Sequence, residues 1–219
     1  MALVALAVLL VGVTAWVVRD QGEQPDRSAT DSSTAVATPT PTPTPTPTVP
    51  PPTERKPRAE PRCRATSGGF TPTSMSVRGV TPGAPVLAIP RDGNGVVGVP
   101  PLTAEGKAEL AWDAPGVAPG SPAGHVLFNA HTWPDGSALG NRLLGSLQAG
   151  GRILVRGADG ELACYDVSRR TEVPAETLMP EIYSPEGPPQ LVIIVCSGTR
   201  RGPGDWSHRT LWFASPVAA

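Results

Sequence analysis

Three residues of this chain have side chains suited to acyl transfer, and each stands at the end of an apolar run. Cys196 follows Leu191-Val192-Ile193-Ile194-Val195 and precedes Ser197-Gly198. His131 follows Val126-Leu127-Phe128-Asn129-Ala130, and Arg209 opens Thr210-Leu211-Trp212-Phe213-Ala214. Each run reads as a buried strand, and Ser-Gly reads as the turn after one. A thiol at a strand end is held rigidly yet can be reached by substrate. It attacks only as a thiolate, so a base or a cation must help it lose its proton. An imidazole can take that proton and return it to a leaving amine. A guanidinium can donate to the oxyanion of the tetrahedral intermediate. A cysteine, a histidine and an arginine are thus the inventory of a cysteine acyl-transfer site. No Asp or Asn is obviously placed to orient His131, and an arginine-type site does not require one.

Each residue also has an ordinary reading. A cysteine at a strand end is more often a small buried side chain than a nucleophile. Arg209 taken alone is an ordinary strand residue, and His125 and His208 read as structural. Arg200 and Arg201 read as a solvated loop near Cys196. No Cys/His cluster has zinc spacing and no acidic loop suits calcium, so no metal or cofactor is expected.

The elements that must position these residues are mostly strands. Glycine and proline punctuate residues 70–219 with the rhythm of an all-β domain. The expected strands are Ser74–Val77, Val86–Ile89, Gly95–Val99, His125–Ala130, Arg152–Arg156, Glu161–Val167, Gln190–Val195 and Arg209–Ala214, with an Asp-Gly hairpin turn at Asp159-Gly160. Short helices are expected at Leu139–Gln148, where Leu143, Leu144 and Leu147 share a face, and at Ala175–Met179. The fold class is mainly β: a closed eight-stranded barrel with one or two short helices, since open sheet edges must be managed. The long segment Ser168–Gln190 lies between core strands and is expected to wall a substrate groove.

Upstream of residue 70 the composition changes. Residues 2–18 carry no charge, which is near the short limit for spanning a bilayer. Residues 1–19 read as an uncleaved N-terminal membrane anchor in preference to a signal peptide, because no basic n-region precedes the apolar run. Residues 20–69 read as a disordered linker. Thr-Pro alternates from Thr38 to Thr48, and such a stretch is an extended spacer reaching on the order of 45 Å. Arg55, Lys56, Arg58, Arg62 and Arg64 read as a solvated charged part of it. A net charge of −1 gives no nucleic-acid footprint. The three cysteines are an odd number for an extracytoplasmic chain, so at least one is free or intermolecular. Cys63 looks dispensable within the linker, and Cys164 reads as a small buried side chain. A chain starting near Phe70 is expected to fold and act alone.

With these residues in place, the sequence from Trp112 onward resembles the sortases of the actinobacterial class E/F kind. The resemblance rests on several blocks. They are Gly124-His125-Val126-Leu127-Phe128-Asn129-Ala130-His131-Thr132-Trp133, Leu139 to Leu147, Gly150-Gly151-Arg152-Ile153, Cys196 at the T-L-x-T-C position, and Trp206 to Ala214. Upstream, Ile89-Pro90 and Trp112 to Gly120 are also similar. Val192 and Val195 replace the two threonines of T-L-x-T-C, and Ala130 stands where Gly or Ser commonly precedes the histidine. The resemblance implies a sortase-like barrel over 70–219 with Cys196, His131 and Arg209 catalytic. It implies a membrane-anchored cysteine transpeptidase, single-pass, with its catalytic domain extracellular. The implied partners are C-terminal sorting-signal peptides of secreted proteins, LPxTG-like, and a peptidoglycan precursor amine as acceptor. Three rival readings stand beside it. An L,D-transpeptidase would carry a Ser-His-Gly-Cys-Arg type run, where this chain has Val-Cys-Ser-Gly. The others are a non-catalytic surface-display or binding domain on a stalk, and a hydrolytic cysteine peptidase without transfer.

Overall fold

The computed structural model describes Cys63 and residues 68–217. The expected anchor over 1–19 and nearly all of the linker over 20–69 lie outside the described residues. Among the described residues, no helix is long and apolar enough to cross a membrane.

Eight strands form in chain order: β1 (Pro72–Val77), β2 (Thr81–Ile89), β3 (Leu110–Asp113), β4 (His125–Ala130), β5 (Arg152–Gly157), β6 (Leu162–Pro174), β7 (Gln190–Gly202) and β8 (Asp205–Pro216). One helix, α1 (Leu139–Ser146), follows β4, and short 3-10 turns occupy Gly106–Ala108 and Pro180–Tyr183. The strands close into a barrel in the order β1-β2-β3-β4-β7-β8-β6-β5. The pairs β2–β3 and β4–β7 are parallel, and the others are antiparallel. The expected mainly β class and closed eight-stranded barrel are therefore what the chain forms.

Alternation along the strands builds two apolar layers. Val126, Phe128 and Ala130 of β4, Leu191, Ile193 and Val195 of β7, and Trp212 and Ala214 of β8 face the barrel interior. Leu139, Leu143 and Leu147 from α1 pack into the same core. The buried Trp212 indole donates to the Leu147 carbonyl at 2.9 Å, which satisfies its only polar atom. The intervening residues Leu127, Val192, Ile194, Leu211 and Phe213 face outward and form a second layer. Ile182, Met179 and Tyr183, from the segment between β6 and β7, cover it.

Several expectations are corrected. Gly95–Val99 is not a strand. The Asp92 carboxylate takes the Asn94 and Val96 N–H groups at 2.9 and 2.8 Å, so these amides serve a tight turn instead of a ladder. The strand in that part of the chain is β3, parallel to β2 and buried at all four residues. It is short and has no alternation to announce it. Ala175–Met179 is not a helix, and the only helical turn nearby begins at Pro180, whose ring is preset for a first helical position. Ser197-Gly198 does not end its strand. β7 continues to Gly202, and its register with β8 shifts between Ser197 and Arg200. Gly198 has φ 76°, so the pair forms a bulge, where glycine adopts a backbone that other residues avoid. Finally, Cys63 and Cys164 form a disulfide, with Cα atoms 5.7 Å apart. Cys63 is thus fastened to β6 rather than dispensable, and Cys164 is a crosslink rather than a mere space-filler.

Candidate active site

The barrel order makes β4, β7 and β8 neighbours, with β7 in the middle. The parallel ladder of β4 and β7 runs to Ala130 opposite Val195, so His131 and Cys196 are the next residues on each strand. Across the antiparallel pair, Cys196 lies directly opposite Arg209. Ala130 and Val195 face inward, and Thr210 is fully buried. Alternation therefore turns His131, Cys196 and Arg209 to the same outer face, in that order across adjacent strands about 4.8 Å apart. Cys196 and His131 are half-buried and Arg209 is exposed. Cys196 is the free cysteine among the described residues.

Burial pushes the Cys196 thiol up, and the Arg209 guanidinium draws it part of the way back. The net direction is upward, so the resting thiol holds its proton at neutral pH.

The residues around His131 are tied from two sides. The Thr132 hydroxyl donates to the Cys196 carbonyl at 2.6 Å, continuing the link between β4 and β7 beyond the end of their ladder. α1 has no side-chain N-cap. Its early Gly140 N–H donates instead to the His131 carbonyl at 2.9 Å, which uses one of the helix's otherwise orphaned donors. Glycine is required there, because a Cβ would run into that same carbonyl and lie 2.8 Å from the Thr132 hydroxyl. The Asn141 amide accepts from the Trp133 N–H at 2.9 Å and donates to the Trp133 carbonyl at 3.1 Å. Behind the pair, Glu172 accepts from Ser197 at 3.1 Å and from Thr210 at 3.2 Å. These are the residues that follow Cys196 and Arg209.

Two loops flank this face. Residues 90–109, between β2 and β3, run beside β4. Asn129 donates to the Gly98 carbonyl at 3.1 Å, and His131 Nε2 lies 2.6 Å from the Pro100 carbonyl. The Ser168–Gln190 segment is a continuation of β6 as far as Pro174. Its remainder packs over the outer layer. Arg91 joins the two loops: it forms a two-pronged ion pair with the buried Asp113 and lies 4.8 Å over the Tyr183 ring.

Thr132, Asn141, Glu172 and the Pro100 carbonyl were not picked out by sequence reasoning. Asn141 and Thr132 lie inside the blocks that carried the resemblance. Glu172 had no signal, and a backbone carbonyl has none to give. His125 and His208 lie apart from the Cys196 face in role. His125 Nδ1 is within 3.0 Å of the Glu181 carbonyl, and His208 Nδ1 is 2.7 Å from the Ser207 hydroxyl. Arg200 and Arg201 are exposed on the β7–β8 hairpin. A cavity of about 400 Å³ at the β1–β2 turn, lined by residues such as Val77, Arg78, Val80 and Arg152, contains no thiol, imidazole or carboxylate.

No protein-family model matches the chain, and no curated protein does. Solved structures do. Sortase A from Corynebacterium diphtheriae is similar at 19% identity and TM-score 0.51, over 69% of this chain and 62% of that one. Sortase C1 of Streptococcus agalactiae, in complex with MTSET, is similar at 15% identity and TM-score 0.50, over 68% of this chain and 70% of that one. Sortase C-1 from Actinomyces oris is similar at 17% identity and TM-score 0.50, over 67% and 71%. At such identities the likeness is one of architecture: this chain has the sortase fold.

Proposed function

We propose that this protein is a membrane-anchored cysteine transpeptidase of the sortase type, of the class E/F kind. The observation that carries the reading is the placement of His131, Cys196 and Arg209 side by side on one outer face of adjacent strands. In the reaction, His131 accepts the Cys196 proton as the thiolate attacks a peptide carbonyl in an LPxTG-like sorting motif. Arg209 donates to the oxyanion or to the substrate backbone. The C–N bond breaks, the His131 imidazolium protonates the leaving amine, and a thioacyl enzyme remains. An acceptor amine, from a peptidoglycan precursor, then attacks the thioester. His131 takes its proton and returns it to the departing Cys196 sulfur. Burial raises the Cys196 thiol above its ordinary value, so the thiolate forms by passing its proton to His131.

The uncharged run at residues 2–18 is the anchor in this reading, with the barrel outside the cell. The Cys63–Cys164 disulfide supports that side of the membrane, since such bonds persist in oxidising compartments. The test is to incubate the chain with sorting peptides and amine acceptors and to weigh the products. The expected result is a thioacyl adduct on Cys196 followed by an amine-linked peptide. Free acid alone would indicate a hydrolytic peptidase, and no adduct would indicate a binding domain.

A further inference from the structure

We infer that the loop between β2 and β3 is the positioning element of His131: the Pro100 carbonyl holds the Nε2 proton and leaves Nδ1 as the proton-exchanging nitrogen. The inference rests on the transpeptidase reading for its catalytic meaning. The observation itself is geometric. A carbonyl oxygen only accepts, so at 2.6 Å the His131 Nε2 must carry the hydrogen. Imidazole has two nitrogens, and one is committed. No Asp or Asn supplies this acceptor, so a backbone group fills the orienting role that a carboxylate has in other acid–base sites.

The contact is built into the loop in several ways. Gly98 and Pro100 present carbonyls at alternate positions, and β4 presents Asn129 and His131 at alternate positions on its outer face. The two sets match in register. Pro101 confines the preceding Pro100 to an extended backbone, which sets the direction of its carbonyl. Pro100 is itself buried. A side chain at position 98 would meet the Pro90 carbonyl at 2.8 Å and the Ile89 side chain, so only glycine lets the strap lie this close. Both ends are latched. Arg91 grips Asp113 at the start. At the other end the Lys107 ammonium bonds Asp135 at 2.9 Å and Ser137 at 3.0 Å, and sits 4.0 Å over the Trp133 ring. Trp133, Asp135 and Ser137 belong to the loop that directly follows His131. The imidazole is thus held between a strap and the loop to which the strap is tied.

The experiment uses the whole chain with ¹⁵N-labelled histidine and long-range ¹H–¹⁵N correlation. A His131→Gln sample identifies the His131 signals among the three histidines. The expected neutral form of His131 is a single Nε2–H tautomer. An Asn129→Ala, Lys107→Met double variant, which releases the strap in the middle and at its end, should show a mixture of tautomers. Its kcat for peptide transfer should fall about tenfold with KM little changed, a fraction of what a positioned acid–base group contributes. Returning lysine to 107 in the Asn129→Ala background should recover part of both effects, and thermal melting checks that the variants fold. An Nδ1–H tautomer in the unmodified chain overturns the inference, and so does either readout staying unchanged in the double variant. A locked Nε2–H tautomer that the double variant releases, in a chain that transfers no peptide, would sink the transpeptidase reading and leave the hold on His131 intact.

Discussion

Cys164 and Cys196 sit on the outer faces of β6 and β7, both thirteen-residue strands, yet they meet opposite fates. Cys164 is closed covalently by Cys63, and Cys196 stays free. They also lie toward opposite ends of the barrel. Arg209, the partner of Cys196, pairs with Val173 at the far end of β6, and from Cys164 to Val173 that strand runs on the order of 30 Å. The crosslink lies where no candidate chemistry is found. The Cys196 end has no covalent tie and is held by hydrogen bonds in which Thr132 and Gly140 donate, Glu172 accepts, and Asn141 does both. The difference teaches that fold stability and site geometry are supplied separately, so they can be broken separately.

The largest expected effect breaks that contrast directly. Cys196→Ala should abolish thioacyl formation, read by mass, with melting nearly unchanged. Cys164→Ala should keep acylation and lose stability. The bond spans a sequence separation of 101, and closing such a loop is worth about 4–5 kcal/mol in the chain-entropy model, or roughly 10–20 °C of melting temperature for a domain this size. A Cys164→Ala variant that loses acylation while still folded would merge the two ends again.

Next in size is Arg209. Arg209→Lys keeps the charge and loses the planar fork of donors. Single-turnover acylation should fall about a hundredfold to a thousandfold, as for the loss of one oxyanion donor. Near-normal acylation would move that role to another residue.

The smallest effect sharpens the contrast between the two thiol environments. The native chain should take up one alkylating group, at Cys196, and the reduced, unfolded chain three. The pH midpoint of Cys196 alkylation should lie above the ordinary cysteine value, because burial outweighs Arg209. Arg209→Ala removes the lowering contribution, so its midpoint should move further up. A midpoint below that of a free cysteine would mean that the thiol rests ionised.

Much of the fold was legible because its strands are long and apolar. Leu191–Val195 and Thr210–Ala214 announce β7 and β8, and the positions of Cys196 and Arg209 beside those runs announce their common face. The leucines of α1 were equally plain. Other parts were not. β3 has four buried residues and no period, while Val96, Val97 and Val99 resemble a strand in composition but serve a strap, and of these three valines only Val97 is buried. The Cys63–Cys164 pair joins residues whose proximity depends on the whole barrel, and nothing local marks it. A chain beginning at Phe70 would leave Cys164 without its partner, so like Cys164→Ala it should be less stable. The acceptor for His131 was invisible for a different reason: every residue has a carbonyl, and only the fold decides which one faces an imidazole.

The disulfide has a mechanical consequence. In a chain tethered through its N-terminal side, tension would ordinarily enter at Pro72 and peel β1 from β2 and β5 one bond at a time. With Cys63 joined to Cys164, the pull bypasses β1 and is delivered into β6, which is clasped between β5 and β8. Load applied there must shear many bonds of two ladders together. In a chain so tethered, load would enter β6 at its Cys164 end, away from the Cys196 end at the far end of that strand.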